Sequence, residues 1–198
     1  MQHQQRTPKT AQIERTKGLV LQATADLMLE EGYRVLTVEK ISTRSGVARS
    51  SIYRYWDGVP DVAIEAIEAA LGPTHTTPYK DNVRDTLVAH YRRYVEILSS
   101  DERGRLLPSL IEAAHYDSRF RQLFETLIVR RTLATANIVE DAKQNGDLPQ
   151  ETHSDWIIDF IGGALHHRLL VTGASIAEPG YVEWLVDSAL STQRAASA

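Results

Sequence analysis

The run Ala48-Arg49-Ser50-Ser51-Ile52-Tyr53-Arg54-Tyr55 concentrates hydrogen-bonding chemistry and contains no carboxylate. Arginine can grip a guanine edge through two parallel bonds, and serine and tyrosine hydroxyls suit phosphate oxygens. On a helix only Ala48 and Ile52 need burial. The other side chains form one exposed, donor-rich face, and a helix N-terminus itself favours phosphate. The chemistry indicated is contact with a DNA major groove. The plainer reading is a solvated polar face on a helical bundle, but its freedom from acids, directly after a Ser-Gly-Val turn, argues against that.

The elements that must position this face are legible on either side of it. Ser45-Gly46-Val47 is a break in which Gly46 supplies a positive φ. Thr37 is placed to cap a short helix over 38–44, and a second short helix follows at 48–54. Ile41, Val47 and Ile52 lock the pair together, the helix-turn-helix pattern. Upstream, Ile13, Leu19, Val20, Ala23, Leu27 and Met28 form one stripe of a long helix at 11–31 that Gly32 ends. Downstream, Asp57-Gly58 and Pro60 open a helix at 59–71. Residues 72–78, Gly-Pro-Thr-His-Thr-Thr-Pro, have no apolar anchor and read as a linker. Beyond it, three- and four-residue apolar spacing predicts helices near 81–99, 103–115, 117–145, 153–172 and 179–193. The fold class is all-α, about nine helices, with a DNA-binding domain over 1–72 and a larger helical bundle over 73–198.

The net charge of −4 hides an asymmetry. Residues 1–60 carry nine Lys/Arg and six Asp/Glu, a balance of +3; the remainder holds 13 bases and 20 acids, a balance of −7. A basic module on an acidic body fits a nucleic-acid contact confined to one end. With no cysteine, disulfides, thiolate metal sites and cysteine nucleophiles are excluded. No long apolar run marks a membrane span or a secretory signal, so a cytoplasmic address is expected. No phosphate loop, nucleophile elbow or metal motif is visible, so the chain is read as not an enzyme, with no cofactor and no metal.

The segment Thr37–Val62, TVEKISTRSGVARSSIYRYWDGVPDV, resembles the DNA-binding motif of the TetR family of transcriptional regulators. Glu31-Gly32-Tyr33 before it matches as well. The resemblance puts Thr37, Ser51, Tyr53 and Tyr55 on phosphates and Arg49, Ser50 and Arg54 over base edges, with Trp56 tying the recognition helix to the next. Members usually carry a lysine at the start of the fourth helix; here Asp57-Gly58-Val59-Pro60-Asp61 offers no base. That departure puts a phosphate contact in doubt. The polar arm with Arg6, Lys9, Arg15 and Lys17 is the stand-in, reaching the adjacent backbone or minor groove.

The resemblance implies a repressor that pairs as a homodimer on a pseudo-palindromic operator and is released by a small-molecule ligand. The C-terminal bundle then holds both pocket and interface. Tyr91, Tyr94, Glu112, His115, Tyr116, Phe120, Phe124, Trp156 and Phe160 are the pocket candidates, for a hydrophobic or aromatic ligand. Gly162, Gly163, His166, Tyr181, Trp184, Leu185 and Ser188 are the interface candidates. Segment 162–173, GGALHHRLLVTG, resembles the penultimate helix of a subgroup in which the last two helices form a four-helix dimer interface. Of the adjacent pair His166 and His167, one faces the bundle and the other the partner. The alternative is a helical interaction module that has lost sequence-specific DNA binding.

Overall fold

The computed structural model describes the backbone of residues 8–99 and 101–196 and the side chains of residues 10–99 and 106–192. Nine α-helices and no strand occur among the described residues: α1 (Pro8–Glu31), α2 (Val38–Ser45), α3 (Arg49–Tyr53), α4 (Val59–Leu71), α5 (Val83–Leu98), α6 (Asp101–Tyr116), α7 (Ser118–Gln144), α8 (Ser154–His167) and α9 (Tyr181–Ala196). A 3-10 turn, Tyr33–Val35, follows α1, and a π turn, Arg168–Thr172, extends α8. No described helix is long and apolar enough to cross a membrane.

The chain forms two compact units. One runs to Gly72 and also includes Pro108–Glu125; the other is Pro73–Leu107 with Thr126–Ala198. One border lies in the linker read from the sequence. The segment 108–125, however, groups with the helix-turn-helix and not with the body. The borders cut α6 at Pro108, whose ring nitrogen cannot donate to the helix ladder.

In the first unit α1 packs on α2 and α4, and α2 on α3. Val20, Met28, Ile41, Ile52, Trp56, Val62 and Ile67 are buried. Gly46 takes φ 69°, the left-handed conformation the α2–α3 turn needs, and its N–H closes on the Ser42 carbonyl. Ser42 Oγ donates to the Val47 carbonyl at 2.7 Å, so the turn keeps its polar groups satisfied.

In the second unit α5, α7, α8 and α9 share a core that includes Leu87, Tyr91, Val139, Ile157, Ile161, Leu165, Leu185 and Val186. Exposed ion pairs Arg84–Asp187 and Arg92–Glu183 run from α5 to α9. The linker is held to this unit. Thr77 Oγ1 lies 3.1 Å from Nδ1 of buried His90, and His75 stacks on the same ring at 5.5 Å. Tyr79 donates to Asp147 at 2.6 Å, and Asp147 also accepts from the Val83 N–H. Sequence reading finds no apolar anchor here because the anchors are polar.

Burial pushes the His90 imidazole down to about 4, with His75 adding to the shift. The folded chain therefore holds His90 neutral where the unfolded chain, with a pKa of about 6.5, takes a proton. Its contribution to stability is complete above that pH and drains away as pH falls towards 4. In thermal melts between pH 7 and 4, wild type should lose its stability advantage over His90→Gln. Parallel curves would show that His90 does not titrate in this window.

Candidate functional site

All the candidate DNA-contacting residues except Thr37 lie on α3 or directly after it. Thr37 caps α2: its side-chain oxygen accepts from the Lys40 N–H at 3.1 Å. Arg49, Ser50, Tyr53 and Arg54 are exposed, while Ser51 and Tyr55 are half-buried. Ile52 faces inward at 1% exposure and Trp56 at 4%. Ladder bonds continue past Tyr53, from Tyr55 and Trp56 N–H to the Ile52 carbonyl, so the helical turn runs into Trp56.

Trp56 is the clamp. Its indole N–H donates to Glu65 of α4 at 2.6 Å. The other Glu65 oxygen takes Lys17 of α1 at 2.7 Å, and that ammonium lies 5.3 Å above the Trp56 ring. Three elements thus meet on one side chain. Lys17, read from the sequence as part of the arm, is paired here within the unit. Arg15 is exposed on α1; the side chains of Arg6 and Lys9 lie outside the described residues.

The other cations around the motif are sorted in the same way. Lys40 pairs with Glu31 at 2.6 Å, Arg44 with Glu30 through two bonds, and Arg34 stacks 4.8 Å over Tyr116. Arg49 has only Glu39 at 3.9 Å, and both are largely exposed. Such a pair is worth about 0–1 kcal/mol and yields readily to a phosphate or base. Arg54 has no ion pair among the described residues. The weakly held positive charges of the unit thus include Arg49 on α3, Arg54 just after it and Arg15 on α1.

The pocket candidates divide between the units. Tyr91 and Tyr94 lie in the second. Glu112, His115, Tyr116, Phe120 and Phe124 belong to the first. His115 and Tyr116 are exposed, and Phe124 stacks on buried Phe120. Trp156 and Phe160 are 55% and 43% exposed on the outer face of α8. Helical spacing marks these residues as aromatic; it cannot say which side of a border they fall on.

The second unit also holds a polar cluster in its interior. Tyr94 Oη is 2.8 Å from His166 Nε2. Burial pushes Tyr94 up to about 12, partly offset by the Arg131 charge, and pushes His166 down, so both are neutral near pH 7. Thr135 of α7 joins His90 at 3.2 Å. Sequence reading missed His90, Thr135 and Arg131, which are single polar residues on apolar-periodic helices. It also placed His166 at an interface, whereas the structure turns His166 inward and leaves His167 exposed. Leu185 is core at 1% exposure. Tyr181 is half-buried beneath the Arg168 guanidinium, and Ser188 is half-buried. Trp184 is 59% exposed, and Gly162 and Gly163 have open space where a Cβ would stand.

The fold and the α2–α3 geometry define a helix-turn-helix DNA-binding protein. Residues 20–72 match the family described as bacterial regulatory proteins, tetR family, and residues 77–189 match the tetracyclin repressor-like C-terminal domain. The chain belongs to the TetR family and is a DNA-binding transcriptional regulator. It is 29% identical over 186 residues to an uncharacterised HTH-type transcriptional regulator, YdeS, of Bacillus subtilis, covering 93% of each chain. A crystal structure of a TetR family transcription regulator is 27% identical with a TM-score of 0.67, over 89% of this chain and 97% of that one. The flavonoid-responsive regulator FrrA shares the fold at a TM-score of 0.71 and 17% identity, over 92% and 97% of the two chains.

Trp56→Phe keeps an aromatic in the core but strands Glu65 without its donor. Urea unfolding should show a loss of about 2 kcal/mol, and α3 amides should exchange faster. An unchanged midpoint would remove Trp56 from the role of clamp.

Proposed function

We propose that this regulator is a repressor that binds a pseudo-palindromic operator as a homodimer and leaves it when a small molecule occupies the second unit. The observation that carries the DNA contact is the sorting of charge. Lys17, Lys40 and Arg44 are tied to glutamates, while Arg49 and Arg54 stand on the exposed face of α3 beside Ser50 and Tyr53. Arg49, Ser50 and Arg54 are assigned to base edges; Thr37, Ser51, Tyr53 and Tyr55 are assigned to phosphates.

Half-sites about one helical turn apart, ~34 Å, call for two copies. The exposed row Trp156, Phe160 and Gly163 on α8, beside Trp184 and Ser188 on α9, is the face assigned to the second copy. Large aromatics left in water with small residues between them are what such a contact uses. Trp156 and Phe160 move by this assignment from the pocket to the interface. The ligand is assigned to the interior around Tyr91, Tyr94, Thr135 and His166, where neutral hydroxyl and imidazole groups sit among apolar side chains. An apolar or aromatic molecule carrying a hydrogen-bonding group suits that lining. Nothing in this reading requires catalysis.

Gel-shift titration against a duplex selected from a random library by the wild-type protein tests the DNA contact. Arg49→Ala and Tyr53→Ala should each weaken binding about 10- to 100-fold, Arg49→Ala with relaxed sequence preference. Unchanged binding by both would sink the assignment. Trp156→Glu combined with Trp184→Glu should give a monomer by light scattering that no longer holds the duplex. A dimer that persists would move the interface elsewhere.

A further inference from the structure

Residues 73–80 of the second unit run outside any helix, and their side chains alternate in burial. His75, Thr77 and Tyr79 are half-buried, while Thr74, Thr76, Pro78 and Lys80 are exposed. A period of two is that of extended backbone with one face laid on the unit. Among the described residues no hydrogen bond between backbone groups holds 73–79. Pro73 and Pro78 have no N–H to offer. The segment is a strap, held by its inward side chains.

Its two ends are anchored by different chemistry. At the far end the Tyr79 hydroxyl donates to Asp147, and the Lys80 N–H donates to Thr86 Oγ1 at 2.9 Å. At the near end one hydroxyl joins two imidazoles: Thr77 Oγ1 lies 2.8 Å from His75 Nε2 and 3.1 Å from His90 Nδ1. The two rings stack with 19° between their planes. On the helix side, Thr135 of α7 takes the other His90 nitrogen, and Tyr91 of α5 meets the ring edge-on at 5.4 Å.

A neutral imidazole suits this setting and a cation does not. Among the described residues the neighbours of buried His90 are two hydroxyls, a second imidazole and a phenol ring, and no carboxylate bonds to it. An unpaired buried charge is costly, and His75 adds repulsion. Water can hydrate the cation only if a neighbour lifts away. α5 and α7 are fixed by the apolar core of the unit, through residues such as Leu87 and Val139. The strap has side-chain anchors alone. We propose that residues 73–78 are an acid-released strap: a proton on His90 undoes the His75–Thr77–His90 clasp and frees this end from α5 and α7, while Tyr79 and Asp147 hold the other end. The inference goes beyond the ligand-responsive reading and stands without it.

The closed strap keeps His90 at about 4, against about 6.5 in water, so acid favours the open form. The open-to-closed ratio should rise about 20-fold between pH 7 and 5 and about 100-fold by pH 4. Nuclear magnetic resonance of the full-length chain, with labelled threonine methyls and histidine rings, reads both events. The Thr76 and Thr77 methyls should move towards random-coil positions over the range in which the His90 ring titrates. The methyl of Thr152, buried in the same unit, should not move. In His90→Gln, whose amide can serve both hydroxyls without taking a proton, the strap methyls should stay fixed. Thr77→Ala, which removes the clasp and leaves His90, should bring the ring's titration up towards pH 6. Strap methyls that stay fixed while His90 titrates overturn the proposal, as does the same movement in His90→Gln or movement together with Thr152. A His90 titration unmoved by Thr77→Ala overturns it as well.

Discussion

A recognition helix of five residues cannot hold itself together. Nucleating a turn is unfavourable, and one turn offers too few backbone bonds to recover the cost. Its shape and aim must come from what it packs against. Ile52 and Trp56 supply that by burial, and the Glu65 hydrogen bond fixes the indole in rotation as well as depth. Every further property follows from this dependence. The polar face of α3 is directed outward because Ile52 within it and Trp56 just after it are directed inward, while Ala48, expected to be buried, is exposed. Whatever shifts α1 or α4 must shift α3 with them.

Charge is distributed in keeping with that frame. Lys17 of α1 and Lys40 and Arg44 of α2 pair with Glu65, Glu31 and Glu30, which binds the helices of the unit to one another. The arginines of α3 are left nearly unpaired, where their attraction for phosphate is undiminished by a strong internal partner. The acid-rich start of α4, which looks like a lost phosphate contact in sequence, has a different partner. Asp61 faces Arg119 within the same unit.

Much of the fold was legible because local signals agreed with tertiary packing. Thr37, Gly46 and Gly32 mark helix ends by capping chemistry that depends on neighbours in sequence, and the helix positions follow apolar spacing. The site on α3 was legible for the same reason: its residues are contiguous. What sequence could not reveal is whatever depends on contacts far along the chain. Tyr33 and Asp117 are 84 residues apart, so nothing local indicates that the α6–α7 corner returns to the first unit. His90 and Thr135 were passed over because a single polar residue on an apolar face gives no sign of its partner. Trp156 and Phe160 illustrate the converse, since aromatics at helical spacing look the same whether a face is buried in its own core or exposed.

The central claim is that two copies present α3 at a spacing set by rigid first units. The chain has no cysteine, so a single Thr43→Cys on exposed α2 accepts a spin label cleanly. Double electron–electron resonance on the labelled protein bound to its selected duplex reads the distance between the two copies. The account predicts one narrow distance distribution on that duplex. It predicts a broader one when the half-sites are moved apart by half a turn. No inter-copy distance, or the same distribution on both duplexes, would contradict it.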